Sequence, residues 1–272
     1  MTWAWLTLAS ALLNALWSSQ IKSRVQKEGA LTFALSMRWG VALGLLPFAF
    51  FALKPFSPRW WLLSGVGGSL ECLSVWVMTK GIRKDYYSTY ALSNTTPLFS
   101  AFWAVLFLKE TIGPVLGMGV FLVVSGALWL YYRGHWSWWG LTAAFIGSVS
   151  GLLSKMALPE SGYLVFSSIS FMLGALVLTV VGMNQGHTSV KSVAKNVWVN
   201  KGLIVFSAVS TVVFYAALEI APLSRVSTLV RANLIVGFLL SYFHLGETHG
   251  WRARGFGAIL LLVGLALVLW KN

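Results

Sequence analysis

Apolar runs of close to twenty residues, separated by short polar turns, recur from one end of the chain to the other. A helix needs about 20 such residues to cross a hydrocarbon core of about 30 Å. Every backbone N–H and C=O in lipid must be paired within the protein, which favours continuous helices. A β-barrel would show short alternating segments instead, and these runs do not alternate. We place ten spans, at 3–20, 30–53, 60–79, 86–108, 112–132, 136–157, 162–183, 202–221, 223–245 and 253–270. Composition agrees: 57% of residues are hydrophobic, only 10% are charged, and the mean hydropathy is +0.76. A soluble surface needs about 25% charged residues.

Turn chemistry falls between the runs. Lys54-Pro55 and Ser57-Pro58 end the second, Pro159 follows the sixth, and Pro222 separates the eighth from the ninth. Ser18-Ser19-Gln20 leads into a basic loop after the first run, and the longest loop, Asn184 to Asn200, is polar. No stretch is long enough for a soluble domain. The first run, Trp3 to Trp17, has no positive residue before it, so it reads as helix 1 rather than a cleaved signal peptide. The net charge of +13 comes from basic residues set singly or in small clusters at span ends. That is the distribution of snorkelling and topology residues, not of a nucleic-acid surface. The single cysteine, Cys72, excludes an intramolecular disulfide.

The chain also repeats itself. The segment from Tyr86, ending LFLKET, aligns with that from Leu223, ending FHLGET, and sets Asn94 on Arg231, Glu110 on Glu247 and Thr111 on Thr248. One inserted residue near Arg254 then carries Gly117, Gly119 and Gly126 onto Gly255, Gly257 and Gly264. At the front of each half Lys22 falls on Lys155. Each half, 1–133 and 134–272, therefore holds five helices, and an odd number forces the second to insert upside down. Inverted repeats are a common construction of alternating-access transporters, with the substrate site near the midplane. The fold class expected is an all-α membrane protein of about ten transmembrane helices, two inverted five-helix repeats around a central cavity.

A helix ending LFLKET or FHLGET, a short loop, then G-x-G and a later Gly resembles the EamA-type repeat of the drug/metabolite transporter superfamily, over essentially the whole chain. Lys22, Arg38 and Pro97 also resemble family features. The sequence departs from the pattern where Leu234 stands opposite Pro97, Asn233 opposite Thr96, and Lys109 where Gly is commoner, as in Gly246. The resemblance implies carriage of small organic solutes, often amino acids or related metabolites, without ATP.

Ionisable groups at membrane depth are the first functional candidates, because placing one there costs at least about 2.5 kcal/mol. Glu71, Arg231 and Arg38 qualify. Glu71 reads as a carboxylate that binds a substrate cation or takes up a proton, or else as a neutral acid bonded to a neighbouring helix. Arg231 reads as a carboxylate or phosphate clamp, or as a structural partner of Glu71. Arg38, close to a helix start, reads as structural, by snorkelling or by pairing with a loop. Tyr90, Asn94 and Pro97 share one helical face, with Ser93 and Thr96 beside it; Pro97 frees the Ser93 carbonyl for a water or a substrate donor. Ser150 and Ser154 share a face of helix 6. Trp17, Trp76 and Trp103 lie further in than the other tryptophans and, with Tyr90 and Tyr215, offer a cavity wall or a cation–π box. Asn233 completes the polar set beside Arg231. Glu110 and Glu247 read as caps of the helix that follows each.

No HExxH, CxxC, GxSxG or Walker-type loop occurs, so neither a catalytic site nor a metal or cofactor is expected. The expected partners are a small organic substrate and the lipid bilayer, with proton coupling through Glu71 in view and no nucleic acid. The leading reading is a secondary transporter of an amino acid or related charged or zwitterionic metabolite. The runner-up is an organic-cation carrier with Glu71 in an aromatic cage; a membrane enzyme or non-transporting subunit is the reading from another class. We expect the cytoplasmic membrane, with several passes. Six basic residues lie on the side of the termini and twelve on the other, which puts the termini outside, whereas the resemblance puts them in the cytoplasm.

Overall fold

The computed structural model describes residues 1–18, 20–50, 56–131, 135–184, 189–244 and 251–270. Among them all regular structure is helical: α1 (Thr2–Ser18), α2 (Ile21–Glu28), α3 (Ala30–Phe50), α4 (Pro58–Lys84), α5 (Tyr86–Ser93), α6 (Thr96–Leu108), α7 (Pro114–Tyr131), α8 (Trp138–Ser161), α9 (Tyr163–Asn184), α10 (Val190–Val199), α11 (Lys201–Ile220), α12 (Leu223–Leu229), a 3-10 turn at Val230–Ala232, α13 (Asn233–His244) and α14 (Trp251–Leu269). Eight helical stretches of the described residues are long and apolar enough to cross a membrane, counting 86–108 and 223–240 as one each. Two shorter apolar helices, Thr2–Leu16 and Arg254–Leu269, stand at the ends.

Three expectations need correction. The basic loop after the first run is the helix α2, because Ile21 and Val25 bury their side chains while its lysines and Arg24 stay toward solvent. The polar loop before α11 contains the helix α10, capped by Ser189, whose hydroxyl accepts from the Ser192 N–H. Pro159 lies inside α8 rather than after it. Lys54, Pro55 and the segment around Glu247 and Thr248 lie outside the described residues.

Packing follows the small residues. A Cβ on Gly126 would fall 2.6 Å from the Gly257 carbonyl oxygen, and one on Gly264 2.8 Å from that of Gly119. Backbones this close exclude any side chain, so these glycines let α7 and α14 lie against each other, running antiparallel. Gly67 and Gly68 do the same for α4: the first meets α8 at Leu153, the second abuts the Ser170 backbone of α9. One apolar cluster joins α2, α3, α4, α8, α9 and α11 around Phe33, Trp60 and Phe166. A second joins α1, α7, α12, α13 and α14 around Leu229, Leu234 and Leu261.

Several helix ends are also capped across the molecule. Glu110 accepts from the Leu223 N–H (2.7 Å), the Ser224 N–H (3.2 Å) and the Ser224 hydroxyl (2.6 Å). It therefore caps α12, not the next helix α7 as expected from its place in the chain. A carboxylate there complements the unpaired N–H groups and dipole of the helix start. Lys155 does the converse, donating to the carbonyls of Leu218 (2.6 Å), Glu219 (3.2 Å) and Ala221 (2.9 Å) at the end of α11. Glu160 accepts from the backbone and hydroxyl of Ser57, the N-cap of α4.

Candidate functional site

Two helices that would otherwise cross in one piece are interrupted at matching points. Residues 86–108 break between α5 and α6 at Asn94 and Thr95, and the second-half counterpart breaks at the 3-10 turn Val230–Ala232. In the first half, side chains take the backbone partners that a continuous helix would use. Asn94 Nδ2 donates to the Tyr90 carbonyl (2.7 Å), the Thr95 hydroxyl to that of Leu92 (2.7 Å) and the Thr96 hydroxyl to that of Ser93 (2.7 Å). Such local bonds compete with helix continuity. The Ser93 carbonyl freed by Pro97 accepts from the Thr96 hydroxyl.

A cavity of about 250 Å³ lies between the breaks. Of the residues singled out in the sequence, Glu71, Arg231, Asn94, Tyr90, Ser150, Tyr215 and Asn233 line it, as do Arg38, Ser93 and Thr96. Trp76 does not. It packs instead with Leu31, Leu35 and Cys72, since it sits five residues beyond Glu71 and so on another face of α4. The side chain of Trp17 lies outside those described. Trp103 also points elsewhere, its indole donating to the Ser148 hydroxyl (3.0 Å). Ser150 donates to the Gly67 carbonyl (2.9 Å), stitching α8 to α4, while Ser154 turns to the Ser150 carbonyl (2.8 Å) and is not in the lining.

Glu71 is paired with Arg38 and not with Arg231. Its Oε1 accepts from Arg38 Nη2 at 2.7 Å, and the Arg38 guanidinium also lies over the Phe171 ring, 4.7 Å from its centroid. Arg38 lines the cavity and pairs with Glu71 of α4, rather than snorkelling or pairing with a loop. The Glu71 carboxylate keeps 27% of its side chain open, toward the cavity it lines. Its position follows from α4: Gly67 sets the face that meets α8, and Glu71 and Ser74 continue that face one and two turns on. Ser74 donates to the Ala143 carbonyl (2.8 Å).

Arg231 has a different environment. Nη1 donates to Asn94 Oδ1 at 2.8 Å, while Nε is buried with no partner. Among the described residues no carboxylate lies within ion-pair distance of it. Asn94 and Arg231, aligned by the internal repeat, therefore touch each other. Beside them Asn233 donates to Asn14 Oδ1 (3.2 Å), and its own carbonyl oxygen is buried and unpaired. Tyr90 stacks on Tyr86 with ring centroids 5.5 Å apart and meets Tyr131 edge-on. Tyr215 is wedged against Phe166 and Phe171.

Two features went unread in the sequence. Ser10, Asn14 and Ser18 of α1 all line the cavity, and their four-residue spacing is a polar stripe in an otherwise apolar run. Ser10 and Ser210 exchange hydrogen bonds, each hydroxyl reaching the other's carbonyl at 2.8 and 2.9 Å, and so tie α1 to α11. Among the described residues no cluster of three or more His, Cys, Asp or Glu could hold a metal ion.

A sequence model of the EamA-like transporter family matches residues 1–132 and again 135–270. Among solved structures, 27 chains are similar. One, described only as the crystal structure of a protein, superimposes with a TM-score of 0.71 at 15% identity, over 97% of this chain and 98% of its own. That similarity concerns the fold alone. No curated protein matches the sequence.

Proposed function

The chain belongs to the EamA-like transporter family of the drug/metabolite transporter superfamily, and from that premise we propose that it is a secondary transporter moving a small charged or zwitterionic organic solute, such as an amino acid, through its central cavity. It is a multi-pass membrane protein and a transporter rather than an enzyme. The observation that carries the proposal is the cavity of about 250 Å³, walled by two arginines and a glutamate at the breaks of two helices. Interrupted helices, ion-lined and polar at membrane depth, are where transporters of inverted-repeat construction bind their cargo. A volume of this order suits a solute the size of an amino acid.

The mechanism we propose is alternating access between two inverted five-helix halves, about ten spans in all, divided near residue 133. Four observations support it. Gly119 meets Gly264 and Gly126 meets Gly257, so each glycine touches the counterpart of the other, as an exchange-symmetric pair must. Asn94 touches its own counterpart Arg231, as residues on a twofold axis do. Gly29 and Gly162, separated like Lys22 and Lys155, both turn the chain with positive φ, at 85° and 74°. Ser74 bonds the Ala143 carbonyl while Ser210 bonds that of Ser10, and Ala143 is to Ser10 as Lys155 is to Lys22. The antiparallel run of α7 and α14 favours inversion over a parallel repeat. The cytoplasmic membrane and coupling to protons through Glu71 complete the proposal.

The organic-cation reading is weaker, because Arg38 already occupies one oxygen of Glu71 and Trp76 is not in the cavity wall. The test is flux. Purified protein in liposomes, preloaded with a mixture of unlabelled amino acids and small carboxylates, should take up their labelled forms faster than protein-free liposomes. Equal rates for every solute would overturn the assignment.

A further inference from the structure

We propose that Arg231 seats a carboxylate, and that the cavity therefore selects organic solutes of net negative charge over zwitterions and cations. This rests on the transporter reading and narrows its substrate class. The ionisable groups among the described residues lining the cavity are Arg38, Glu71 and Arg231, together with the neutral phenols Tyr90 and Tyr215. The first two cancel, in contact at 2.7 Å. A guanidinium does not deprotonate in a protein, so the third leaves the cavity one positive charge in excess.

The way Arg231 is held points the same way. A structural arginine at this depth is expected to pair with a carboxylate, as Arg38 does, or with backbone carbonyls. Arg231 instead bonds a neutral amide: Asn94 Oδ1 accepts from Nη1, and Asn94 Nδ2 is fixed in turn by the Tyr90 carbonyl. The amide orients the fork and leaves its charge standing. A guanidinium carries five N–H donors, one of which is used by Asn94, so an edge remains for the two oxygens of a carboxylate. Nε is one of the unused donors. Two residues on, the Asn233 carbonyl oxygen is buried without a partner and offers an acceptor for a hydroxyl or amine carried on the same solute. A solute with one net negative charge makes the loaded cavity neutral. A zwitterion leaves the excess in place, and a cation doubles it.

The test uses three probes of one carbon skeleton: 3-phenyllactate (anion), phenylalanine (zwitterion) and phenylalaninamide (cation). Binding to purified protein in detergent should follow that order, with at least a ten-fold difference in Kd between the first and the last. In Arg231→Gln the anion should weaken ten-fold or more while the cation does not. Arg231→Lys, which keeps the charge and loses the fork, should retain the order at reduced affinity, and it serves as the reporting variant where Arg231→Gln fails to yield monodisperse protein. Equal affinities, a preference for the amide, or no saturable binding of phenyllactate overturns the proposal. Failure of the transporter reading looks different: the charge order would appear in detergent, yet no probe would cross proteoliposomes. Flux of phenylalaninamide at or above that of phenyllactate would keep the transporter and remove the anion site.

Discussion

Both halves place an arginine in the same cavity, and the two are treated in opposite ways. Arg38, from the first half, closes on Glu71 at 2.7 Å and stacks over Phe171. Arg231, from the second, holds only the amide of its own counterpart, Asn94, at 2.8 Å. The first is a completed electrostatic unit, neutral as a pair, whose members can be removed only together. The second is incomplete: its Nε is buried without a partner, and its side chain lines the cavity. Incompleteness of that kind is tolerated where a ligand finishes it, so the pair reads as the frame of the site and Arg231 as its working end.

The largest effect should come from breaking the frame. Arg38→Leu leaves Glu71 without its partner, and removing one member of a buried pair costs about 3–5 kcal/mol, at the lower end here because Glu71 is partly open. The variant should show a marked loss of thermal stability in detergent, and Arg38→Met combined with Glu71→Leu should recover most of it. A single variant as stable as the wild type would show that the pair frames nothing. Glu71→Gln separates its roles: it should retain the fold better than Arg38→Leu, because an amide still accepts from Arg38. Flux in that variant that still concentrates solute against a gradient at the wild-type rate would remove Glu71 from the working site.

Arg231→Gln should do the reverse. A charged hydrogen bond contributes about 1.5–3 kcal/mol, roughly a ten- to hundred-fold loss of solute affinity. Its melting temperature should stay level or rise, because an unpaired buried charge is relieved. A variant that loses stability as Arg38→Leu does would make the two arginines alike and dissolve the comparison.

Much of this architecture is legible in the sequence, because lipid imposes length on each span and the repeat imposes matching turn residues. The contact of Asn94 with Arg231 agrees with the alignment that sets one on the other. The partner of Glu71 does not follow. Arg38 and Glu71 lie 33 residues apart on different helices, and only the rotation of α4, set by Gly67 and Gly68, brings the carboxylate round to α3. Trp76 was misplaced for the same reason: depth can be counted along a chain, but the face of a helix hydrophobic all round cannot. The amphipathic α2 was hidden by its basic residues, Lys22, Arg24 and Lys27, which outnumber the two residues, Ile21 and Val25, that it buries.

The halves also differ at their breaks. Pro97 stands beside the first, and Leu234 occupies the corresponding place beside the second, yet both helices are interrupted. The bonds of Asn94, Thr95 and Thr96 to preceding carbonyls hold the first break without help from the ring. Pro97→Leu should therefore cost less than about 1 kcal/mol, against the roughly 3 kcal/mol by which proline disfavours a helix interior. Near wild-type flux would agree. Loss of flux with stability unchanged would make the proline, rather than the side-chain bonds, the keeper of the break.

The smallest effect concerns Lys109, where the second half has Gly246. Lys109 has φ of 54°, the left-handed region, and among the described residues it is the one non-glycine with positive φ. The turn it makes is a helix C-cap: the Glu110 N–H reaches back to the Ala104 carbonyl at 3.0 Å, and the chain is redirected so that Glu110 can cap α12. A side chain in this region costs about 1–2 kcal/mol, which glycine avoids. Glycine also has more freedom to lose on folding, which offsets part of the gain. Lys109→Gly should therefore stabilise by about 1 kcal/mol or less, read as a small upward shift in melting temperature, with flux unchanged because the side chain touches neither arginine. A clear loss of stability would mean that the lysine contributes more through its charge at the membrane edge than its backbone costs, and that the two halves differ here by function rather than by drift.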